Sequence, residues 1–330
     1  MIITKTPFRI SLFGGGTDHP AWFKNHGGEV ISFTIDKFCY LTTRILPPFF
    51  DYKYRVVYSK VETVKSINEI AHPAVRESIR KFCPGLSLEI HHDGDLPART
   101  GIGSSSAFAV GLIHSLLLLN GSTFNYSDLA NKAIELEQND LLENVGSQDQ
   151  IACAIGGMNY ITFGRDMNWN AQKIAIDKDL EDSIMDRIVL IYTGISRSSS
   201  DIQSHLIIDL DKKLHVMSRS IELARECKYI IQNYGDLDLI GEMLAESWVL
   251  KKEMNKNAVT KELDLVWDKA KAAGALGGKV LGAGGGGFCL FWVKSGKREE
   301  FLKKFNFGLH VPVKMSALGT QCVLKEQKNT

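Results

Sequence analysis

The segment Leu96-Pro97-Ala98-Arg99-Thr100-Gly101-Ile102-Gly103-Ser104-Ser105-Ser106-Ala107 constrains this chain more than any other, because it sets a Gly/Ser-rich turn directly ahead of the longest apolar stretch, Ala107 to Leu119. That stretch predicts a buried helix from about Ser105 to Leu119. It is interrupted by Gly111, His114 and Ser115 and falls short of the roughly 20 residues a bilayer span needs. A buried helix requires a core around it. A chain of 330 residues, 44% hydrophobic and 23% charged, can build one, in two domains or one large one. The turn itself suits phosphate: glycines let the backbone approach an anion, the first helical turn leaves N–H donors unpaired, and the helix dipole adds about half a positive charge there. An ordinary Ser-capped helix after a tight turn accounts for the same residues.

Charge narrows the partners. With 39 Lys+Arg against 38 Asp+Glu, the formal charge is +1, which leaves no global field to hold a polyanion. Phosphate affinity must come from local donors, and nucleic acid is not an expected partner. Cys39, Cys83, Cys153, Cys227, Cys289 and Cys322 form no CxxC pair and have no His at metal spacing, so they read as reduced thiols. Met1 to Ile10 carries Lys5 and Arg9 among mixed residues and lacks the apolar stretch of a signal peptide. The expectation is a cytoplasmic chain without a membrane partner.

Along the chain, IITKTPFRISLFGGG reads as a strand ending in three glycines, and Val30 to Leu46 as a strand stopped by Pro47 and Pro48. Tyr52 to Tyr58 and Leu86 to His92 have strand character, and Ile67 to Phe82 has helical spacing. Helices are predicted at Ser127 to Asn144 and Gln148 to Ala154, and a strand at Met158 to Phe163. Asp166 to Asp186 is polar without an apolar period and marks a domain boundary ahead of a buried strand, Arg187 to Tyr192. Amphipathic helices are expected at Ser200 to Asn233, Asp238 to Asn255 and Lys261 to Ala273. Strands are expected at Phe288 to Val293, Val311 to Met315 and Thr320 to Leu324.

Familiar phosphate signatures are absent or out of context. No Gly-Lys-Ser or Gly-Lys-Thr occurs, and the GxGxxG at Gly282, Gly284 and Gly287 precedes a strand and not a helix. LGAGGGG therefore reads as a glycine loop packed against something bulky, or as a hairpin turn. A third glycine segment, Arg9-Ile10-Ser11-Leu12-Phe13-Gly14-Gly15-Gly16-Thr17-Asp18-His19-Pro20, presents Asp18 on a loop. There its carboxylate can accept from adjacent sugar hydroxyls, or close an Asx-turn. Glu137, on a predicted helix, and Asp149, in Gly146-Ser147-Gln148-Asp149-Gln150, suggest a metal ligand and a base. A solvated helix face explains Glu137 equally, and an S-x-x-Q capping box from Ser147 to Gln150 explains Asp149. His91 and His92 are adjacent on a strand, point to opposite faces and cannot grip one ion. Arg197, among serines after a strand, suits a phosphate or caps a helix start with an exposed Arg.

PARTGIGSSSA, RISLFGGGTDHP and LGAGGGG, in their order and spacing, resemble the GHMP family of small-molecule kinases, and the resemblance spans the chain. It implies an α+β fold with a ribosomal protein S5 domain 2-like N-terminal domain over residues 1–180. A ferredoxin-like C-terminal domain would follow over residues 181–330, with the active site between them. It implies ATP over Pro97, Gly101, Ile102, Gly103, Ser104, Ser105 and Ser106, and Mg2+ held by Ser105 and Glu137. Asp149 would be the catalytic base with Arg9 beside it. Gly15, Gly16, Thr17, Asp18, Gly284 and Gly285 would line the substrate. Galactokinases carry Gly-Glu-His-Thr-Asp where this chain has Gly14-Gly15-Gly16-Thr17-Asp18. FGGGTDHP, Gly27-Gly28-Glu29-Val30 and Ile35-Asp36-Lys37-Phe38 are most similar to the branch that phosphorylates the anomeric hydroxyl of D-glycero-D-manno-heptose 7-phosphate. A sugar phosphate substrate needs a basic anchor, for which Arg197 is the first candidate. The alternatives are an anomeric kinase of a free sugar such as L-fucose, or a non-catalytic binder of the same fold. The oligomeric state is not readable.

Overall fold

A computed structural model describes residues 1–195, 213–255 and 258–326. The first sheet is built on two long strands, β1 (Ile2–Phe13) and β2 (Gly28–Ile45), whose alternating apolar residues face a covering layer of helices. They pair antiparallel from Ile2↔Thr43 to Phe13↔Ile31, with register breaks at Pro7/Arg9 and Ser11/Phe13. Pro7 cannot donate to the ladder, which suits it to such a break. The other edge of β2 splits: its start pairs with β6 (Met158–Phe163), its end with β5 (Leu88–Gly94). Beyond them lie β3 (Tyr54–Val57), β4 (Val61–Val64) and β7 (Trp169–Lys173).

Between these strands run α1 (Pro20–His26), α2 (Pro73–Phe82), α3 (Ser104–Leu119), α4 (Tyr126–Glu135) and α5 (Gln148–Ile155). The helix α3 is apolar all round and lies buried on β1 and β2, as its sequence requires. Helix α6 (Lys178–Arg187) leads into β8 (Ile188–Tyr192). The second sheet is antiparallel, ordered β11-β8-β10-β9, with β9 (Ala275–Val280), β10 (Phe288–Val293) and β11 (Leu309–His310). Helices α7 (Leu214–Gln232), α8 (Asp238–Met254), α9 (Lys261–Ala273) and α10 (Arg298–Lys304) complete it. A Cβ on Gly277 would lie 1.7 Å from Gly241 O, so α8 sits directly on β9.

The α+β expectation matches this architecture, and several local expectations do not. Asp166 to Asp186 is no plain linker: β7 and α6 occupy it, the latter started by Asp177 accepting from Leu180 N–H (2.8 Å). The predicted helix from Ser127 to Asn144 is α4 followed by a π-helical turn, Leu136–Asp140. Helical spacing from Ile67 resolves into a 3-10 turn and α2, because Pro73 is tolerated only at the first helical turn. Val311 to Met315 forms no strand, only the bridge Ile35↔Met315, since Pro312 interrupts it. The last strand, β12 (Gln321–Lys325), pairs with β1 and so returns to the first sheet. Of the helix expected over Ser200 to Asn233, only the part from Lys213 onward lies within the described residues.

Candidate active site

The register break in β1 turns Arg9 into the space under the Gly/Ser turn. Its Nε and Nη2 donate to Asp149 Oδ1 and Oδ2 (2.6 and 2.5 Å), and its Nη1 donates to Gly101 O (2.7 Å). Its backbone N–H donates to Ile102 O (3.0 Å). One buried guanidinium thus fixes both the first turn of α5 and the turn ahead of α3. Burial pushes the Asp149 carboxyl up, and the charge and hydrogen bonds of Arg9 oppose that rise. The Asp149 side chain keeps 23% exposure, so a ligand can reach it.

The turn runs through Gly101 (φ +85°) and Gly103 (φ +73°), and Gly103 caps α3 without a side-chain hydrogen bond. The Ser-capped alternative therefore falls. Ser104 Oγ instead accepts from Arg99 N–H (3.0 Å), and Thr100 Oγ1 donates to Pro97 O (2.7 Å). Exposed Ser105 and buried Ser106 donate to Glu137 Oε1 and Oε2 (2.7 and 2.8 Å). Gln150 Nε2 also donates to Glu137 Oε2 (2.5 Å). Glu137 is 1% exposed, which overturns the solvated-face alternative. The π-helical turn puts it there, and burial among neutral donors pushes its carboxyl up to about 7.

The capping box expected from Ser147 to Gln150 does not form. Ser147 has helical backbone angles and its Oγ accepts from Gln138 Nε2 (3.0 Å), while Gln150 is spent on Glu137. Asp149 nonetheless stands in the first turn of α5. The Asp18 carboxylate, 3% exposed, accepts from Gly16 N–H (2.9 Å) and Gln148 N–H (3.3 Å). It therefore ties the first glycine segment to α5 as well as to its own loop. The Thr17 hydroxyl donates to Gly14 O (2.8 Å) and Glu29 O (3.1 Å), so it serves the loop. Gly16 (φ +100°) faces Met217 and Met254.

The LGAGGGG segment packs on the turn ahead of α3, backbone to backbone. A Cβ on Gly282 would lie 2.5 Å from Gly101 Cα, and one on Gly287 2.5 Å from Thr100 O. The partner is therefore not bulky but the bare backbone of another glycine loop, and the segment is also the hairpin connection between the antiparallel strands β9 and β10. Gly284 and Gly285 meet Ala258, whose carbonyl accepts from Gly285 N–H (2.8 Å). Arg197 lies outside the described residues. Lys5 lies 3.8 Å from the centre of the Phe38 ring.

Three basic residues went unassigned from sequence. Lys251 Nζ donates to Val280 O (2.8 Å) and Gly282 O (2.6 Å), and Lys279 Nζ to Leu12 O (2.7 Å). Burial lowers Lys251 to about 7 and Lys279 well below its ordinary value. His19 sits where Asp18 and Asp149 act on it, and burial lowers its pKa. His19 stands in the first glycine motif and Lys279 just ahead of LGAGGGG, but no spacing in the sequence shows that either, or Lys251, is buried against these loops. His91 instead meets Glu89 (2.8 Å) and His92 stacks edge-on to Phe108. Among the described residues no group of three or more His, Cys, Asp and Glu is gathered for a metal, no cysteine is in a disulfide, and no helix is long and apolar enough to cross a membrane.

The arrangement has a base candidate and a Gly/Ser turn held by one arginine, and a buried carboxylate beside two serines. It has clear counterparts. Residues 65–157 match the GHMP kinase N-terminal domain, and residues 221–309 the GHMP kinase C-terminal domain, together more than half of the chain. A D-glycero-alpha-D-manno-heptose 7-phosphate kinase of Campylobacter jejuni is 28% identical over 92% of each chain. A galactokinase of Pyrococcus furiosus is 24% identical over 93% of this chain and 95% of that one. A solved structure described as a D-glycero-D-manno-heptose 1-phosphate kinase from Bacteroides thetaiotaomicron superposes with a TM-score of 0.82. It is 23% identical and covers 99% of this chain and 100% of that one. With both domains matched and the fold shared end to end, this chain belongs to the GHMP kinases and is a phosphotransferase.

Proposed function

We propose that this chain is an ATP- and Mg2+-dependent sugar kinase that phosphorylates the anomeric hydroxyl of D-glycero-D-manno-heptose 7-phosphate, giving the 1,7-bisphosphate. The observation that carries the kinase chemistry is the triple engagement of Arg9, which pairs with Asp149 through two bonds and with Gly101 O through a third. Base and phosphate-binding turn are thereby held at fixed separation, which is what phosphoryl transfer asks of a protein. Asp149 takes the proton of the acceptor hydroxyl. The freed oxygen forms a bond to the γ-phosphorus of ATP as the bond from that phosphorus to the bridging oxygen breaks, and ADP leaves. Arg9 opposes the upward push of burial on Asp149 and so keeps it a base.

Pro97, Gly101, Ile102, Gly103, Ser104, Ser105 and Ser106 form the nucleotide side in this reading. Gly15, Gly16, Thr17 and Asp18 form the acceptor side, with Gly284 and Gly285 bordering it. Ser105 and Glu137 fit magnesium on the chemistry of their donors: two adjacent oxygens, one a buried carboxylate that only neutral groups touch. Mg2+ takes one or two protein oxygens and completes its shell with water and phosphate. When bound, it neutralises charge on the transferring phosphates. The heptose phosphate is favoured over other sugars by the 28% identity of the Campylobacter jejuni relative over nearly its whole length, and by the GGGTD of the first segment. The test is phosphorus NMR of the purified protein with Mg-ATP and, separately, D-glycero-D-manno-heptose 7-phosphate, L-fucose, D-mannose and D-galactose. A new anomeric phosphate with the heptose phosphate alone is expected. Turnover of a free sugar alone refutes the substrate, and silence with all four refutes the sugar-kinase reading.

A further inference from the structure

Ser11 and Gln148 have no part in the chemistry above, yet both border its acceptor side. Ser11 follows Arg9 by two residues on β1, and Gln148 opens α5 immediately before Asp149. Each is 7% exposed, and Ser11 Oγ and Gln148 Oε1 have no hydrogen-bond partner within the protein. Ser11 Oγ and the amide nitrogen of Gln148 converge on one place. A Cβ on Gly15 would meet Gln148 Nε2 and Ser11 Oγ, each at 3.7 Å. The backbone N–H of Gln148 donates to Asp18 (3.3 Å), which fixes the root of its side chain against the first glycine segment.

Buried polar groups that find no partner in the protein are costly, and they are tolerated where a ligand completes them. The donor inventory says which ligand. A serine hydroxyl gives or takes a hydrogen bond, and a glutamine amide offers both an acceptor oxygen and N–H donors. A sugar hydroxyl is donor and acceptor at once and satisfies both residues. A phosphate oxygen accepts only and would leave Gln148 Oε1 unpaired. Successive residues of a helix diverge by about 100°, so Gln148 addresses a different part of the acceptor from the hydroxyl that Asp149 deprotonates.

We infer that Ser11 and Gln148 together read one non-reacting hydroxyl of the acceptor over Gly15, and thereby set sugar specificity. The inference rests on the sugar-kinase reading of the same site. Its test uses wild type, Gln148→Leu, Ser11→Ala and Gly15→Ala, with whichever of the four sugars named above the wild type turns over fastest and with that sugar's monodeoxy analogues. Wild type is expected to lose about 100-fold in kcat/KM toward one analogue, because a site built to bond a hydroxyl rejects its absence. Gln148→Leu and Ser11→Ala are expected to lose activity on the parent sugar yet to separate parent from that analogue by about threefold or less. Gly15 has no positive φ, and a Cβ there would sit at ordinary contact distance, 3.7 Å from Gln148 Nε2 and from Ser11 Oγ, so Gly15→Ala fits the backbone while its methyl occupies the place between the two side chains. It is expected to raise KM for the sugar about tenfold and leave KM for ATP within about twofold. Equal discrimination by wild type and both truncated variants overturns the reader while leaving the kinase intact. A wild type inert on all four sugars overturns the sugar-kinase reading, and the reader with it.

Discussion

Replacing Glu137 with Gln separates a carboxylate kept for a cation from one kept for folding. The side chain is 1% exposed and bonded to Ser105, Ser106 and Gln150, all neutral, while the charge of Glu143 acts on it with the same sign. Its carboxyl is pushed from an ordinary 4.5 to about 7. The native state thus holds this proton more tightly than the unfolded chain, so stability is lost as pH rises from 4.5 through 7. The full cost above that window is about 3 kcal/mol. Glutamine copies the neutral form. In urea unfolding with EDTA, Glu137→Gln is expected to match wild type within about 1 kcal/mol at pH 5 and to exceed it by about 2–3 kcal/mol at pH 8. Mg-ADP at pH 8 is expected to restore wild type and not the variant, because only the carboxylate gains a counter-charge. A variant destabilised equally at both pH values would refute the reasoning, since its loss would then be one of packing.

Three further outcomes follow from the same geometry. Asp149→Asn removes the proposed base and leaves the turn ahead of α3 in place, so kcat is expected to fall about 1,000-fold while equilibrium dialysis still finds ATP bound; retained turnover would remove Asp149 from the chemistry. Gly101→Ala sets a Cβ at φ +85° and 2.5 Å from Leu281 O, adding at least about 1–2 kcal/mol of strain. It is expected to weaken ATP binding more than about tenfold, and unchanged nucleotide titrations would show that the two glycine loops need not touch. Lys251 is lowered to about 7, so the unfolded chain binds that proton more tightly and stability rises from pH 7 toward 10.5. Lys251→Met is expected to flatten that rise in urea unfolding, and an unchanged pH slope would contradict it.

What was legible in the sequence was whatever a short window carries. The apolar run after Ser106 announces α3, and the clustered glycines of each segment announce loops that must approach something closely. Pairings between distant segments left no local trace. Nothing in LGAGGGG says that Gly282 lies on Gly101, and nothing in Thr320 to Leu324 says that β12 adds to β1 instead of to the sheet whose sequence precedes it. Ser147 and Gln150 satisfy the spacing of a capping box and still form none, because Glu137 and Gln138 offer each a buried partner that water at a helix end does not. For Glu137 the sequence left a metal ligand and a solvated helix face both open, since the π-helical turn that rotates it inward is a departure from helical period.

The two buried carboxylates show why assignment of roles needed tertiary structure. Glu137 and Asp149 both follow helix-forming sequence, and both are pushed upward by burial. Their partners differ in kind. Asp149 meets a guanidinium carried by β1, so its charge is compensated within the chain and it can give a proton acceptor to the site without an added ion. Glu137 meets only hydroxyls and an amide, which orient a charge without cancelling it. A carboxylate compensated by protein is suited to moving a proton, and one compensated by nothing is suited to holding a cation. The proposed division of labour between base and metal ligand thus rests on which strand and which helix each acid faces, a choice made by residues more than a hundred positions away for Asp149 and about thirty for Glu137.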